Sequence, residues 1–283
     1  MSKLMLFLKN IHIHPFFWLV AAMAIVTARF YDLLMLFIIV FIHELGHAVA
    51  AFSFSWRIRK IILLPFGGVL ELDEHGNRPV KEELIVTIAG PIQHLFLIMI
   101  AKLLESASLI TETTYTVFVE YNVMIFLFNC LPILPLDGGK LIYLFYSHIF
   151  PFVEALKKAI ITSFICLCCF VLAVLKIMPF HLNSWVIVIF LFLSLRKEWK
   201  NRHFVFMRFL MERQFSDNKK KGTIITVHEN DSVMTVFHQF FRGREHFIRL
   251  RTRENQEKQI NEKQLLQTFF DKKSYVISMK ELF

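Results

Sequence analysis

Residues 43–47 read His-Glu-Leu-Gly-His. On a helix, side chains at i and i+4 share one face, so the His43 and His47 imidazoles can reach one ion while Glu44 stands beside them to take a proton from water. Two imidazoles and a carboxylate at that spacing are the apparatus of metal-assisted hydrolysis, and zinc is the metal that suits such donors. The setting sharpens the inference. The motif lies inside an apolar run, Tyr31 to Trp56, where ionisable side chains are expensive unless they serve a site.

A catalytic zinc takes three protein ligands and keeps a fourth position open, so a third ligand must come from elsewhere in the chain. Asp137 and His94 are candidates at membrane depth, with Glu71 and Asp73 weaker ones. Asp137 stands in NCLPILPLDGGK (Asn129 to Lys140), where Pro132 and Pro135 forbid a continuous helix and Gly138-Gly139 permit a sharp turn. Irregular backbone survives at that depth only when buried in protein or lining a wet cavity. Metal-assisted hydrolysis needs such a cavity to admit water, so the segment is expected to turn Asp137 inward; the alternative is an Asp that merely caps the turn.

The elements that must position these residues are membrane helices. Of 283 residues, 55% are hydrophobic, 32 of them Phe, too apolar for an ordinary soluble domain. Crossing the hydrocarbon takes about 20 apolar residues. Runs at His14–Ala28, Tyr31–Trp56, Leu84–Leu104, from Tyr115 onward, Ala159–Met178 and Leu182–Leu195 give about six crossings. The stretch Tyr115–Phe150 reads as one span with a broken continuation. Met1 to Ala28 shows no small-residue cleavage pattern, so the first span is expected to stay in place. Between the second and third spans, Ile61–Leu72 is apolar and rich in β formers around Phe66-Gly67-Gly68, which predicts a hairpin dipping to the interface. The fold class is thus an all-α polytopic membrane domain with an interfacial hairpin, followed by a small α/β unit.

Charge divides the chain differently. Residues 196–283 carry a net +8 against +1 for residues 1–195, and the loop distribution of Lys and Arg places both termini on the cytoplasmic side. The cluster Arg196, Lys197, Lys200, Arg202 reads as a contact with anionic lipid headgroups rather than with nucleic acid. The four Cys lie in or beside apolar segments, which argues for packing and against a disulfide framework. Three domains follow: 1–195 in the membrane, a basic helical linker at 196–222, and a module at 223–283. Within the last, strands at Thr223–Val227 and His246–Leu250 alternate with helices opening at Asp231 and after Asn261.

HELGH on one span and N-x-x-P-x-x-P-L-D-G on a later one resemble the site-2 protease family of intramembrane zinc metalloproteases, and the layout resembles its bacterial sporulation members. That resemblance implies His43, His47 and Asp137 as ligands of one zinc ion and Glu44 as general base. It also implies that Asn129 and Pro135 position substrate or steady the oxyanion. The Ile61–Leu72 loop, with Phe66 and Gly67, is expected to position substrate by receiving it as an extended strand through edge addition. It implies a membrane-associated sigma-factor precursor as substrate, inhibitory membrane-protein partners, and the mother-cell membrane around the forespore as location. Ala89-Gly90-Pro91-Ile92-Gln93-His94 is similar to the family's A-G-P-x-x-N but has His94 at the Asn position, leaving two readings: a fourth polar contact to the metal, or a His packed against a polar cavity. The tail resembles a single CBS unit, which implies an adenine nucleotide such as ATP and a paired or homo-oligomeric state, with a plain docking domain as the alternative. Two other classes compete. A membrane zinc transporter would need ligands along a continuous pathway, and a non-catalytic scaffold would tolerate Glu44→Gln.

Overall fold

In the computed structural model, residues 11–13, 15–56, 58–64, 67–72, 78–177, 179–180, 182–215, 222–251, 257–272 and 279 are described. The apolar runs are helices: α1 (Pro15–Val26), α2 (Phe30–Ser53), α3 (Val80–Ser106), α4 (Glu112–Asn129), α5 (Asp137–Ile149), α6 (Phe152–Ile177) and α7 (Leu182–Phe215). Among the described residues, α2, α3 and α6 are long and apolar enough to cross a membrane. The other runs read as crossings fall short by that measure: α1 has only 12 residues, and the apolar half of α7 ends at Leu195, where about 20 residues are needed.

The chain divides into two units. The first comprises Met1–Glu74, Lys81–Leu131 and Leu136–Gly138. Its helices are amphipathic in reverse. Along α2 the buried residues Ile39, Val40, His43, Glu44, His47, Ala48 and Ala51 recur at helical spacing, while Ile38, Val49 and Phe52 are exposed. On α3, Leu95, Phe96, Met99, Ile100 and Leu103 are likewise exposed. Apolar outside and polar within is the pattern of a protein whose solvent is lipid. Ile39, Val40, Leu97 and Ile125 form an apolar cluster joining α2, α3 and α4. At the far end of α2, Trp56 packs with Ala51 and Val86, and its indole N–H donates to Glu82 at 3.0 Å.

The predicted hairpin is present as β2 (Ile58–Leu64) and β3 (Gly67–Leu72), antiparallel, with Leu64 opposite Gly67. Phe66 lies outside the described residues. A strand that the sequence did not announce, β1 (Ile11–Ile13), lies parallel to β2 with His12 opposite Ile62, giving the order β1-β2-β3. Three residues are too few to show a period of their own.

The second unit comprises His75–Val80, Pro132–Pro135 and Gly139–Phe283. Its terminal part is β4 (Gly222–His228), α8 (Val233–His238), β5 (Glu245–Arg251), β6 (Glu257–Asn261) and α9 (Glu262–Lys272). β4 and β5 run parallel and β6 adds antiparallel to β5. The expected strand and helix positions are all occupied, with β6 in addition. The core of this unit gathers Phe152 of α6, Phe206, Phe209 and Leu210 of α7, and Val236, Phe237, Phe240, Ile248 and Leu266 of the module. The Phe152 and Phe209 rings stack with centroids 3.9 Å apart. The compositional boundary expected after Leu195 falls inside α7, which continues without a break to Phe215.

Candidate active site

Both histidines of the motif and its glutamate lie on the buried face of α2, with His43, Glu44 and His47 3%, 5% and 4% exposed. The Asn129–Lys140 segment ends α4 at Asn129, passes a cis peptide bond before Pro135, and begins α5 at Asp137. Asp137 therefore occupies a helix N-terminus, as the capping alternative required, and also meets the histidines. His43 Nε2 is 3.1 Å from Asp137 Oδ2, His47 Nε2 is 3.0 Å from the same oxygen, and the two Nε2 atoms are 3.1 Å apart.

These three atoms form a nearly equilateral triangle of donors that a zinc ion fits. Ligands about 2.0–2.2 Å from a tetrahedral zinc stand about 3.3 Å from one another, so a small expansion of the triangle suffices. The proton positions are compatible. His47 Nδ1 is 2.7 Å from the Val86 carbonyl oxygen; a carbonyl only accepts, so Nδ1 carries the hydrogen, and in the neutral ring that a metal requires Nε2 presents a lone pair toward Asp137. Among the described residues, His43, His47 and Asp137 are the group of side chains able to share a metal.

Two glycines let α3 approach this closely. A methyl group at Gly90 would fall on the His47 ring, and one at Gly46 would lie 2.6 Å from Gln93 Cγ and 2.7 Å from the Ala89 carbonyl oxygen. The missing side chain at Gly90 thus lets the His47 ring lie against α3.

His94 is not in the donor triangle. Its Nε2 lies 3.1 Å from Nδ1 of His43, on the side of that ring away from Asp137, and its Nδ1 hydrogen-bonds Asn122 Oδ1. Asn122, in the middle of α4, returns a bond from its NH2 to the His94 carbonyl at 3.0 Å. The sequence reading passed over Asn122, although a lone amide within Tyr121-Asn122-Val123-Met124-Ile125 is the kind of polar residue that lipid does not tolerate without a partner. For Glu71 the backbone alone is described, in β3, and Asp73 lies outside the described residues. Asn129 donates one amide hydrogen to Ile125 O at 3.1 Å, which leaves the second for another acceptor.

The chain is similar to known proteins. The model of "Peptidase family M50" matches residues 31–104, the stretch that holds HELGH and the hairpin. The chain is 42% identical to Stage IV sporulation protein FB of Bacillus subtilis (strain 168) over 288 residues, covering 100% of this chain and 99% of that one. It is 31% identical over 129 residues to Zinc metalloprotease MJ0392 of Methanocaldococcus jannaschii, covering 44% of this chain and 37% of that one. Among solved structures it is similar to the Site-2 Protease from Methanocaldococcus jannaschii, with a TM-score of 0.53 and 25% identity over 66% of this chain and 89% of that one. The buried donor triangle and a full-length relative at this identity lead to one conclusion: the chain belongs to peptidase family M50, the site-2 type of intramembrane zinc metalloprotease.

Proposed function

We propose that His43, His47 and Asp137 hold the zinc ion and that Glu44 is the general base in cleaving a membrane-associated protein, the pro-sequence of a sporulation sigma-factor precursor (pro-sigma-K). The observation that carries the ligand assignment is the convergence of three buried acceptor atoms within 3.1 Å of one another. A zinc ion held there would supply Lewis acidity for activating water and polarising a carbonyl. Glu44, next to His43 on the buried face of α2, accepts the proton of the attacking water and returns it to the leaving amine. Asn129 offers its remaining amide hydrogen to the developing oxyanion. Similarity to a sporulation protein over the full chain supports the choice of substrate, and with it the mother-cell membrane as location and membrane-protein inhibitors as partners.

A helical substrate hides its peptide bonds and must unwind. Among the described residues β3 is an outer strand, since β1 lies on the other side of β2, and an extended substrate strand adding to β3 would run beside Gly67, with Phe66 assigned to substrate positioning as well. Pro135, two residues before Asp137, is assigned to substrate positioning with them. About six crossings, cytoplasmic termini, and an adenine nucleotide bound by a CBS-like module at 223–283 complete the proposal; the parallel β4-α8-β5 unit supports the last, and a shift in thermal unfolding on adding ATP tests it.

Co-expression with a membrane-tethered sigma-factor precursor tests the central reading. Glu44→Gln should abolish cleavage with zinc retained; cleavage at the wild-type rate refutes it. The transporter alternative predicts changed metal uptake instead, and its pathway finds no second metal-binding group among the described residues.

A further inference from the structure

The hydrogen bonds behind His43 fix more than its position. Asn122 is 0% exposed and meets His94 twice, at the backbone carbonyl and at the ring. The carbonyl can only accept, so the Asn122 atom facing it is the NH2 and the atom facing the ring is Oδ1. Oδ1 also only accepts, so His94 Nδ1 carries the hydrogen and Nε2 of the neutral ring is a lone pair. That lone pair stands 3.1 Å from His43 Nδ1, which must therefore donate to it. On the neutral His43 ring, the form that binds a metal, what remains is an Nε2 lone pair directed at Asp137 and His47.

We infer that Asn122 and His94 are positioning residues, a hydrogen-bond relay that sets the tautomer and ring orientation of His43 for metal binding. For His47 the backbone carbonyl of Val86 does the same work, so one ligand is oriented by main chain and the other by two side chains from α3 and α4. The inference rests on the ligand assignment proposed above. Partners of this kind typically contribute 10- to 100-fold to metal affinity.

The test is zinc affinity of the purified full chain in detergent, measured by competition with a chromophoric chelator, with cobalt(II) absorption reporting the ligand set. His94→Leu removes the acceptor and should weaken zinc binding about 10- to 100-fold. His94→Gln keeps an acceptor oxygen for His43 Nδ1 and should recover most of the loss. Asn122→Leu should weaken binding several-fold alone and add nothing in the His94→Leu background. Wild-type affinity in a folded His94→Leu overturns the relay, as does an Asn122→Leu effect that persists in full without His94, or a cobalt spectrum showing that His94→Leu has lost a nitrogen ligand. Should His94→Leu fail to fold, Asn122→Leu decides, and unchanged affinity there overturns the relay. Asp137→Ala separates the two levels: if it keeps zinc as tightly as wild type, the ligand assignment and the relay fall together, whereas loss of zinc in Asp137→Ala with none in His94→Leu removes the relay alone.

Discussion

Two buried polar clusters among the described residues differ in their partners. Around Glu262 the partners are hydrogen-bond donors of the chain itself. The Arg213 guanidinium donates to both carboxylate oxygens and to the Phe241 carbonyl, and Glu262 also accepts from the His246 backbone N–H at 2.8 Å. The Phe241 N–H donates to His246 Nε2, so Nδ1 carries the hydrogen and donates to Glu262 at 3.0 Å. Around Asp137, by contrast, two imidazole lone pairs and a carboxylate oxygen face one another. Networks of the first kind hold a fold together; a group of His and Asp side chains that could share one metal ion is instead a candidate for chemistry.

The largest expected effect tests the chemical side of that contrast. Glu44→Gln should lower the cleavage rate by about 10²- to 10⁴-fold with zinc per chain unchanged; loss of the metal as well would make Glu44 part of the donor ring. Next, Arg213→Leu strands a buried carboxylate, since the two side chains are 10% and 6% exposed. It should cost about 3–5 kcal/mol in urea unfolding of the full chain and leave zinc content intact, so a variant that unfolds normally but loses zinc would break the distinction.

Acid should act on the same network. Burial alone would raise the Glu262 pKa, but hydrogen bonds from His246 and Arg213 and the charge of Arg213 outweigh it and hold the carboxyl down at about 2. The unfolded chain binds that proton first, so the stabilisation is present above about pH 4.5 and is lost as pH falls toward about 2, a difference of about 3 kcal/mol. Burial, joined by the nearby Arg213 charge, lowers the His246 pKa against the opposing Glu262 hydrogen bond, so loss begins below pH 6.5. Urea midpoints at pH 7, 5 and 3 measure it, and a flat profile would show that the network does not stabilise the fold. The smallest effect is at the proposed zinc site: Gly90→Ala pushes a methyl into the His47 ring and should cost about 1–3 kcal/mol, read as weaker zinc binding with the Glu262 network unaffected.

What could be read beforehand was local. His43, Glu44 and His47 sit on one helix, where spacing dictates a shared face, and the prolines around Asp137 announced a backbone that leaves the helix. The hairpin and the alternation of strands and helices in the module followed from short-range pattern. The partners of those elements did not. β1 pairs with a strand some 50 positions later, and β6, Glu-Lys-Gln-Ile-Asn, gains its place from β5 rather than from propensity. His94 could be singled out but not assigned, because its role depends on Asn122, 28 residues away on another helix. The change of composition at Leu195 marked where apolar surface ends, yet a helix stops at a backbone signal and not at a polar one; no Gly or Pro occurs from Leu182 to Phe215.

That uninterrupted α7 has a mechanical consequence. Thirty-four residues at 1.5 Å each make a rod of about 50 Å, and Arg213 and Phe209 fasten its last turns to the terminal module. A rod without a hinge carries torque along its length, so a molecule that grips or twists the module also turns the apolar half of the same helix.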